Sequence, residues 1–378
     1  MLKSFWLSLF LLSSTIIFAQ KKIKDDKPDQ YDAFIKDWMK KDSVPGVFLL
    51  IAKDGKTMKE KGYGYANLEG KTLPALNTIF ETGSITQLFT GLAICMLSEQ
   101  KKLNLDSFIS KYIDLTPQGW KYVTVRNLLY HTHGLNPQHY DISLLPGAPG
   151  FRYTAKEQFE FHRMQRQYAG AGTACYFTNS AYFLLGLIIQ NVSGTTYEDF
   201  IQQNIFNKAG MKNSSFIREP LSLPNRAQGY TIEKGKWISW MLEQNLHALD
   251  CNSFNGIRSS AEDLLLFDNA LRNDLFVTRE TYNHMLDPFM MPDGKPAASG
   301  RNNWGMGCAT RNILGHRCIV NTGTTGTGFF RLPDDGFSVI LFTNLGDGDD
   351  FLKNKGANIA ENGYKLMEEL LKDQVQNK

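Results

Sequence analysis

The chain reads as a mixed α/β (α+β) protein: an antiparallel sheet flanked by helices, with a mostly helical lobe inserted into it. Two observations carry this expectation. Apolar runs of strand length with turn dipeptides stand at both ends of the chain, and the stretch between them keeps helical three- and four-residue spacing. A third observation bounds the size: 378 residues, 42% of them apolar and with no internal repeat or low-complexity tract, suffice for one large core or two lobes sharing one.

In chain order, residues 1–20, MLKSFWLSLFLLSSTIIFAQ, have one lysine, an apolar run of signal-peptide length and Ala19 ahead of a lysine-rich stretch. A cleaved secretory signal and an exported, periplasmic or secreted product are expected. An uncleaved anchor helix is the alternative, although Ser4, Ser8, Ser13, Ser14 and Thr15 interrupt its run. Residues 21–30 read as a solvated leader and 31–375 as one domain, with the α/β lobe at about 31–83 and 255–375 and the helical lobe at about 84–254.

A short amphipathic stretch from Tyr31 to Lys40 leads into VPGVFLLIAKDGKTMKEKGYGYAN, two strands joined at Asp54-Gly55, a dipeptide that supplies the positive φ angles of a tight hairpin. From Ser84 the pattern turns helical, with Ile85, Leu88, Phe89, Leu92, Ala93, Met96 and Leu97 on one face. VTVRNLLYHTHGL, SAYFLLGLIIQNVSG and EDFIQQNIFNKAGM continue the helical middle between Gly-, Pro- and Asn-rich loops. Strand character returns in CIVNTG, GFFRL and FSVILFTN, the last two joined by a turn at Pro333-Asp334-Asp335-Gly336, and an amphipathic helix covers roughly 356–372.

The formal net charge of +3, of which Lys3 leaves with the signal, argues against nucleic acid or a charged membrane surface as partner. Cysteines at 95, 175, 251, 308 and 318 are too scattered for a disulfide framework or a metal site. Cys308 and Cys318 flank a turn at Gly315 and are either a single bridge or two buried thiols. Asp347-Gly348-Asp349-Asp350 lacks the spaced ligands of a calcium loop and reads as a solvated turn. Trp237, Trp240 and Trp304 read as core or lobe-interface packing. Phe289, Met290 and Met291 read as a loop clasped on the core. No cofactor or metal is expected.

The ordered blocks VPGVFLLIAKDG, NTIFETGSIT, VTVRNLLYHTHGL, FTNSAYFLLGLII, SSAEDL and NTGTTGTGFFRLPDDGFSVILFTN resemble the class C β-lactamase, penicillin-binding protein and esterase family of serine hydrolases, from about Tyr31 to residue 370. The resemblance implies a serine β-lactamase/transpeptidase-like fold and an acyl-transfer site built from S-x-x-K, Y-x-N and K-T-G or H-x-G. Ser84 takes the nucleophile position, but Gln87 stands for the lysine, Phe177 for the tyrosine before Asn179, and Asn321 for the basic residue before Thr322 and Gly323. The oxyanion hole that the resemblance implies uses backbone N–H groups, those of Ser84 and Thr324, which do not depend on side chains.

A serine hydroxyl is a weak nucleophile without a neighbouring base, and each missing acid or base costs typically ~10² to 10⁴ in rate. Ser84 and Gln87 also spell S-x-x-Q, a capping box that would retain both residues without chemistry. His133, on a loop that the family runs toward the pocket rim, is a candidate substitute base, with His139 just beyond; His131 reads as structural. His131 and His133 lack a third ligand for a metal. The sequence therefore leads to a pseudoenzyme or severely attenuated hydrolase holding a small-molecule or peptide-like acyl ligand. The alternatives are an active serine hydrolase using Ser84 with a non-standard base, and a structural or partner-binding envelope protein.

Overall fold

The computed structural model describes residues 28–135, 153–164, 166–217, 225–240, 250–299, 302–346 and 357–376. The expected signal, most of the expected leader, His139 and residues 347–350, read from sequence as a turn, lie outside them. Along the chain the described strands are β1 (Gly46–Lys53), β2 (Lys56–Gly64), β3 (Phe80–Glu81), β4 (Ser215–Phe216), β5 (Tyr230–Glu233), β6 (Lys236–Ser239) and β7 (Ile257–Ser259). They continue with β8 (Ala298–Ser299), β9 (Asn302–Trp304), β10 (Ala309–Ile313), β11 (His316–Gly323), β12 (Thr327–Leu332) and β13 (Phe337–Thr343).

Eight of them form one antiparallel sheet in the order β2-β1-β13-β12-β11-β10-β9-β8. The Asp54-Gly55 hairpin forms as expected, with φ of 48° and 74°, and β1 then finds its second neighbour at the far end of the chain, Val47 opposite Thr343 and Lys53 opposite Phe337. Alternation decides what each face covers. Val47, Leu49, Ile51, Phe330, Leu332, Val339 and Leu341 point to a core closed by the terminal helices Gln30–Asp42 and Ile359–Gln376. Phe48, Leu50, Ala52, Ile319, Phe329, Ile340 and Phe342 point to the other core, which runs without a break into the helical region. Among the described residues no helix is long and apolar enough to cross a membrane.

The helix Thr86–Glu99 departs from the amphipathic expectation, because every residue from Thr86 to Leu97 is buried. Phe89 packs edge-on against Phe206 and tilted against Phe267, at centroid distances of 5.7 and 4.4 Å, so this helix passes between layers and has no solvent face. The helix Asn179–Ser193 lies beside it and stops at Gly194, whose φ of 73° supplies the left-handed cap. EDFIQQNIFNKAGM is helical from Tyr197 to Ala209 but includes a π segment at Gln202–Phe206. Two further helices, Ala261–Arg272 and Arg279–Leu286, bring the chain back to the sheet. All five cysteines are free thiols, and Cys318 faces Arg311 across the β10-β11 hairpin, so no bridge joins it to Cys308.

Candidate active site

Ser84 sits in a single 3₁₀ turn, Gly83–Ile85, that feeds the buried helix. Gly83 has φ of +54°, and a Cβ there would lie 3.1 Å from Gly323 Cα and 3.4 Å from Thr324 N; a Cβ on Gly323 would lie 2.3 Å from Thr82 O. The two backbones therefore touch directly, which only glycine permits. Threonine hydroxyls lock the contact. Thr325 donates to Glu81 O (2.6 Å), Thr327 to Thr82 O (3.0 Å), Thr82 to Ile257 O (2.8 Å), and Thr86 to Gly83 O (2.7 Å) while accepting from Ile257 N–H (3.1 Å).

The arrangement sets the Ser84 turn against the end of β11. Ser84 N–H belongs to the first turn, where no intrahelical acceptor exists, and Thr324 N–H follows Gly323↔Thr327, the last pair of the β11-β12 ladder. Ser84 is half-buried, Thr324 is exposed and Thr322 is half-buried on the same strand edge. Among the described residues no side chain takes a hydrogen bond from, or gives one to, the Ser84 hydroxyl.

The three substituted positions make other contacts. Gln87, 3% exposed, donates through Nε2 to Asn179 Oδ1 at 3.3 Å. This corrects the capping-box expectation: the residues capping the 3₁₀ turn and the helix are Thr82 and Ile85, neither with a side-chain cap bond, and the Gln87 amide reaches a partner 92 residues away. A neutral amide pair thus occupies the place where the resemblance implies a lysine beside asparagine. Asn321 donates through Nδ2 to Gly307 O at 2.7 Å, and its Oδ1 is buried without a partner. Gly307 in turn has φ of +84° and packs with its Cα side against Gln87 O. Asn321 is therefore a tie that holds a loop onto the nucleophile helix.

Phe177 stacks on Trp304 at 5.2 Å and 28° and lies 4.8 Å from the His131 ring. Tyr176, beside it, is packed edge-on against Tyr168 and gives its N–H to His131 O, so it does not replace the missing hydroxyl. Thr178 between Phe177 and Asn179 caps the helix that Asn179 begins, accepting from Ala181 N–H at 3.2 Å.

Both histidines of HTHGL are fully buried behind this segment, not exposed on a rim. His133 Nδ1 accepts from Leu135 N–H at 2.9 Å, so its proton rests on Nε2, which meets Thr178 Oγ1 at 3.2 Å. Burial pushes His133 down to about 3. His131 Nδ1 accepts from Thr178 N–H at 3.3 Å, and burial, with His133 beside it, holds its pKa well below the usual histidine range. The candidate substitute base is thus a neutral ring with both nitrogens engaged, positioning the Phe177–Asn179 segment. Sequence reasoning placed it on an exposed loop because nothing local marks a histidine that tertiary packing buries.

The other sequence candidates are dispersed. Trp237 is exposed with Nε1 donating to Ser43 O (2.7 Å), Trp240 is buried beside Phe80 and Thr325, and Phe289 packs on Tyr130 while Met290 is exposed. Sequence reasoning missed the threonine clamp, whose signal was the run of hydroxyl residues in NTGTTGTG, and the stacking partnership of Trp304 with Phe177.

An antiparallel sheet carrying a serine turn between glycine-lined backbones is the architecture of the serine β-lactamase and penicillin-binding class. The chain belongs to the Beta-lactamase family, whose sequence pattern it matches over residues 31–363. Protein flp of Staphylococcus aureus (strain MW2) is 28% identical over 56% of this chain and 43% of its own length. Penicillin-binding protein 4* of Bacillus subtilis (strain 168) is 26% identical over 65% of this chain and 56% of its own. The chain thus spans about half the length of these relatives. Among solved structures, the octameric penicillin-binding protein homologue from Pyrococcus abyssi superposes with a TM-score of 0.72 at 29% identity, covering 83% of this chain and 72% of that one. A D-amino acid amidase from Ochrobactrum anthropi SV3, complexed with L-phenylalanine amide, shares the fold with a TM-score of 0.76 at 22% identity, covering 90% and 97%.

Proposed function

We propose that this chain is an exported member of the family whose Ser84 pocket binds a peptide-like or other acyl ligand while hydrolysis is abolished or severely attenuated. The observation that carries the reading is the Gln87–Asn179 amide contact: where proton transfer needs an amine, the side chain offers a group that neither gains nor loses a proton near neutrality. Phe177 and Asn321 add no titratable group, and His131 and His133 are buried and neutral. The ligand class is supported by family membership and by likeness in fold to the D-amino acid amidase. Export is supported by the signal-like residues 1–20.

The test is intact-protein mass spectrometry after incubation with a penicillin-type or phosphonate probe, paired with calorimetric titration of the same compound. The expected result is non-covalent binding that survives Ser84→Ala and no adduct mass. An adduct on the unaltered protein that disappears in Ser84→Ala overturns it.

A second reading, slow acylation through Ser84, is favoured by one observation. The backbone donors of Ser84 and Thr324 are held by the threonine clamp independently of the lost side chains, and such a hole alone leaves roughly 10³ to 10⁴ over water in damaged serine hydrolases. It predicts an adduct that forms and does not turn over.

A further inference from the structure

The formal net charge of +3 is small for 378 residues, but it is not evenly spread. Residues 101–126 hold five basic side chains, Lys101, Lys102, Lys111, Lys121 and Arg126, against two acids, Asp106 and Asp114, which is the whole of that charge, so the rest of the chain is neutral on balance. Arg126 is bound side-on by Asp106, with Nε and Nη2 bonds of 2.6 and 2.9 Å, and adds no free charge. The four lysines are exposed, and none of them forms an ion pair among the described residues.

Lys101, Lys102 and Lys111 border one open cavity of about 510 Å³, together with Tyr112. Lys111 N–H donates to Phe108 O at 3.0 Å, closing a 3₁₀ turn that sets these two residues on one side. Phe108 is 47% exposed and its ring lies 6.1 Å from that of Tyr122, which is 63% exposed, while Lys121 Nζ is 4.6 Å from the centre of the Tyr122 ring. Leu115, on the same segment, is 72% exposed. The segment is fixed from beneath. Ile109, Ile113, Trp120 and Val123 are buried, Ile109 N–H donates to Val123 O at 2.9 Å, and Asn104 N–H donates to Tyr112 Oη at 2.9 Å. A helix C-terminus attracts cations, which accounts for Lys101 and Lys102 just past the Thr86–Glu99 helix but not for Lys111, Lys121 or the exposed rings.

We propose that this face docks on an anionic phospholipid surface, the lysines meeting headgroup phosphates while Phe108, Tyr122 and Leu115 enter the interface. Charge complementarity selects a negative partner. The apolar side chains select lipid among negative partners, because a soluble polyanion gives them nothing to enter, whereas the headgroup boundary buries apolar bodies beside cationic tips. The Ser84 turn feeds the N-terminal end of the Thr86–Glu99 helix and Lys101 follows its C-terminal end, about 20 Å away along the axis, so the docked face and the Ser84 turn lie at opposite ends of this helix.

The experiment is co-sedimentation of the full chain with vesicles of phosphatidylglycerol and phosphatidylcholine in equal amounts, and with phosphatidylcholine alone, together with a lysine-acetylation footprint read by mass spectrometry. Residues 1–20 are common to every protein compared, and the footprint reads this face directly. Binding to the phosphatidylglycerol vesicles is expected to be at least about tenfold stronger than to phosphatidylcholine alone and to weaken with added salt. Lys101, Lys102, Lys111 and Lys121 should be protected from acetylation there, while exposed Lys56 and Lys71 stay reactive. Lys101→Gln, Lys102→Gln, Lys111→Gln and Lys121→Gln together should lower the affinity at least about tenfold, and Phe108→Ser with Tyr122→Ser should lower it severalfold. All six positions are exposed, so the variants should fold. Equal binding to the two vesicle types, unprotected lysines, or undiminished binding in the lysine variant overturns the proposal. Loss in the lysine variant with none in the serine variant also overturns it, because that result marks a surface that reads charge alone and fits a soluble polyanion.

Discussion

The turn that carries Ser84 is held by four threonine hydroxyls and by glycines at Gly83 and Gly323, whereas Gln87, Phe177 and Asn321 beside it are held by Asn179, Trp304 and Gly307. The first region keeps what an oxyanion hole needs: rigid backbone donors whose position does not depend on any titratable group. In the second, each side chain makes a contact that serves packing, and none of them titrates near neutrality. In this chain the clamped backbone therefore stands without a titratable side chain at positions 87, 177 or 321.

The comparison breaks most visibly if the lost groups are put back. Gln87→Lys, Phe177→Tyr and Asn321→His together should raise hydrolysis of an activated ester at least ~10²-fold, measured as steady-state rate against the unaltered protein. No gain would mean that the Trp304 stack or the Gly307 tie has closed the pocket itself. A smaller effect sharpens the other half. Thr327→Val leaves Thr82 O without its buried donor and should lower unfolding free energy by about 1–3 kcal/mol in a denaturant titration, while Thr322→Val, half-buried on the neighbouring strand β11, should change it little.

The buried histidines give the next effect, and its sign follows from burial. An unfolded chain takes up protons on histidine below about pH 6.5, whereas burial keeps folded His133, and His162 on the Ala155–Arg163 helix, from protonating until about 3 and 4. Stability from these rings is therefore full above pH 6.5 and falls as the pH drops through that window. Each ring contributes a slope of up to ~1.4 kcal/mol per pH unit. His133→Gln should flatten the slope measured between pH 6 and 5, and an unchanged slope would place that ring in water. The smallest effect belongs to Gln87→Leu: a 3.3 Å neutral contact is expected to be worth only about 0.5–1.5 kcal/mol.

What the sequence made legible was local or ordered. The Asp54-Gly55 hairpin and the late strands follow from dipeptides and alternation, and the ordered motif blocks identified the family and the positions of Ser84, Asn179 and Gly323. What it hid was decided by partners distant in the chain. S-x-x-Q is a capping box by local rules, yet the Gln87 amide turns to Asn179 because the Asn179–Ser193 helix begins beside it. His133 looked like a loop residue because its burial comes from segments on both sides, Leu135 and Thr178. The short strands β8 and β9 have too few residues for alternation to mark them.

The central proposal is that Ser84, whose hydroxyl has no side-chain hydrogen bond among the described residues, does not turn over acyl compounds. Its most direct test is a multi-turnover assay with a chromogenic ester at enzyme and substrate concentrations that allow many cycles, run in parallel on the unaltered protein and Ser84→Ala. The account predicts equal, near-background rates in the two proteins. Sustained hydrolysis that is lost in Ser84→Ala would contradict it.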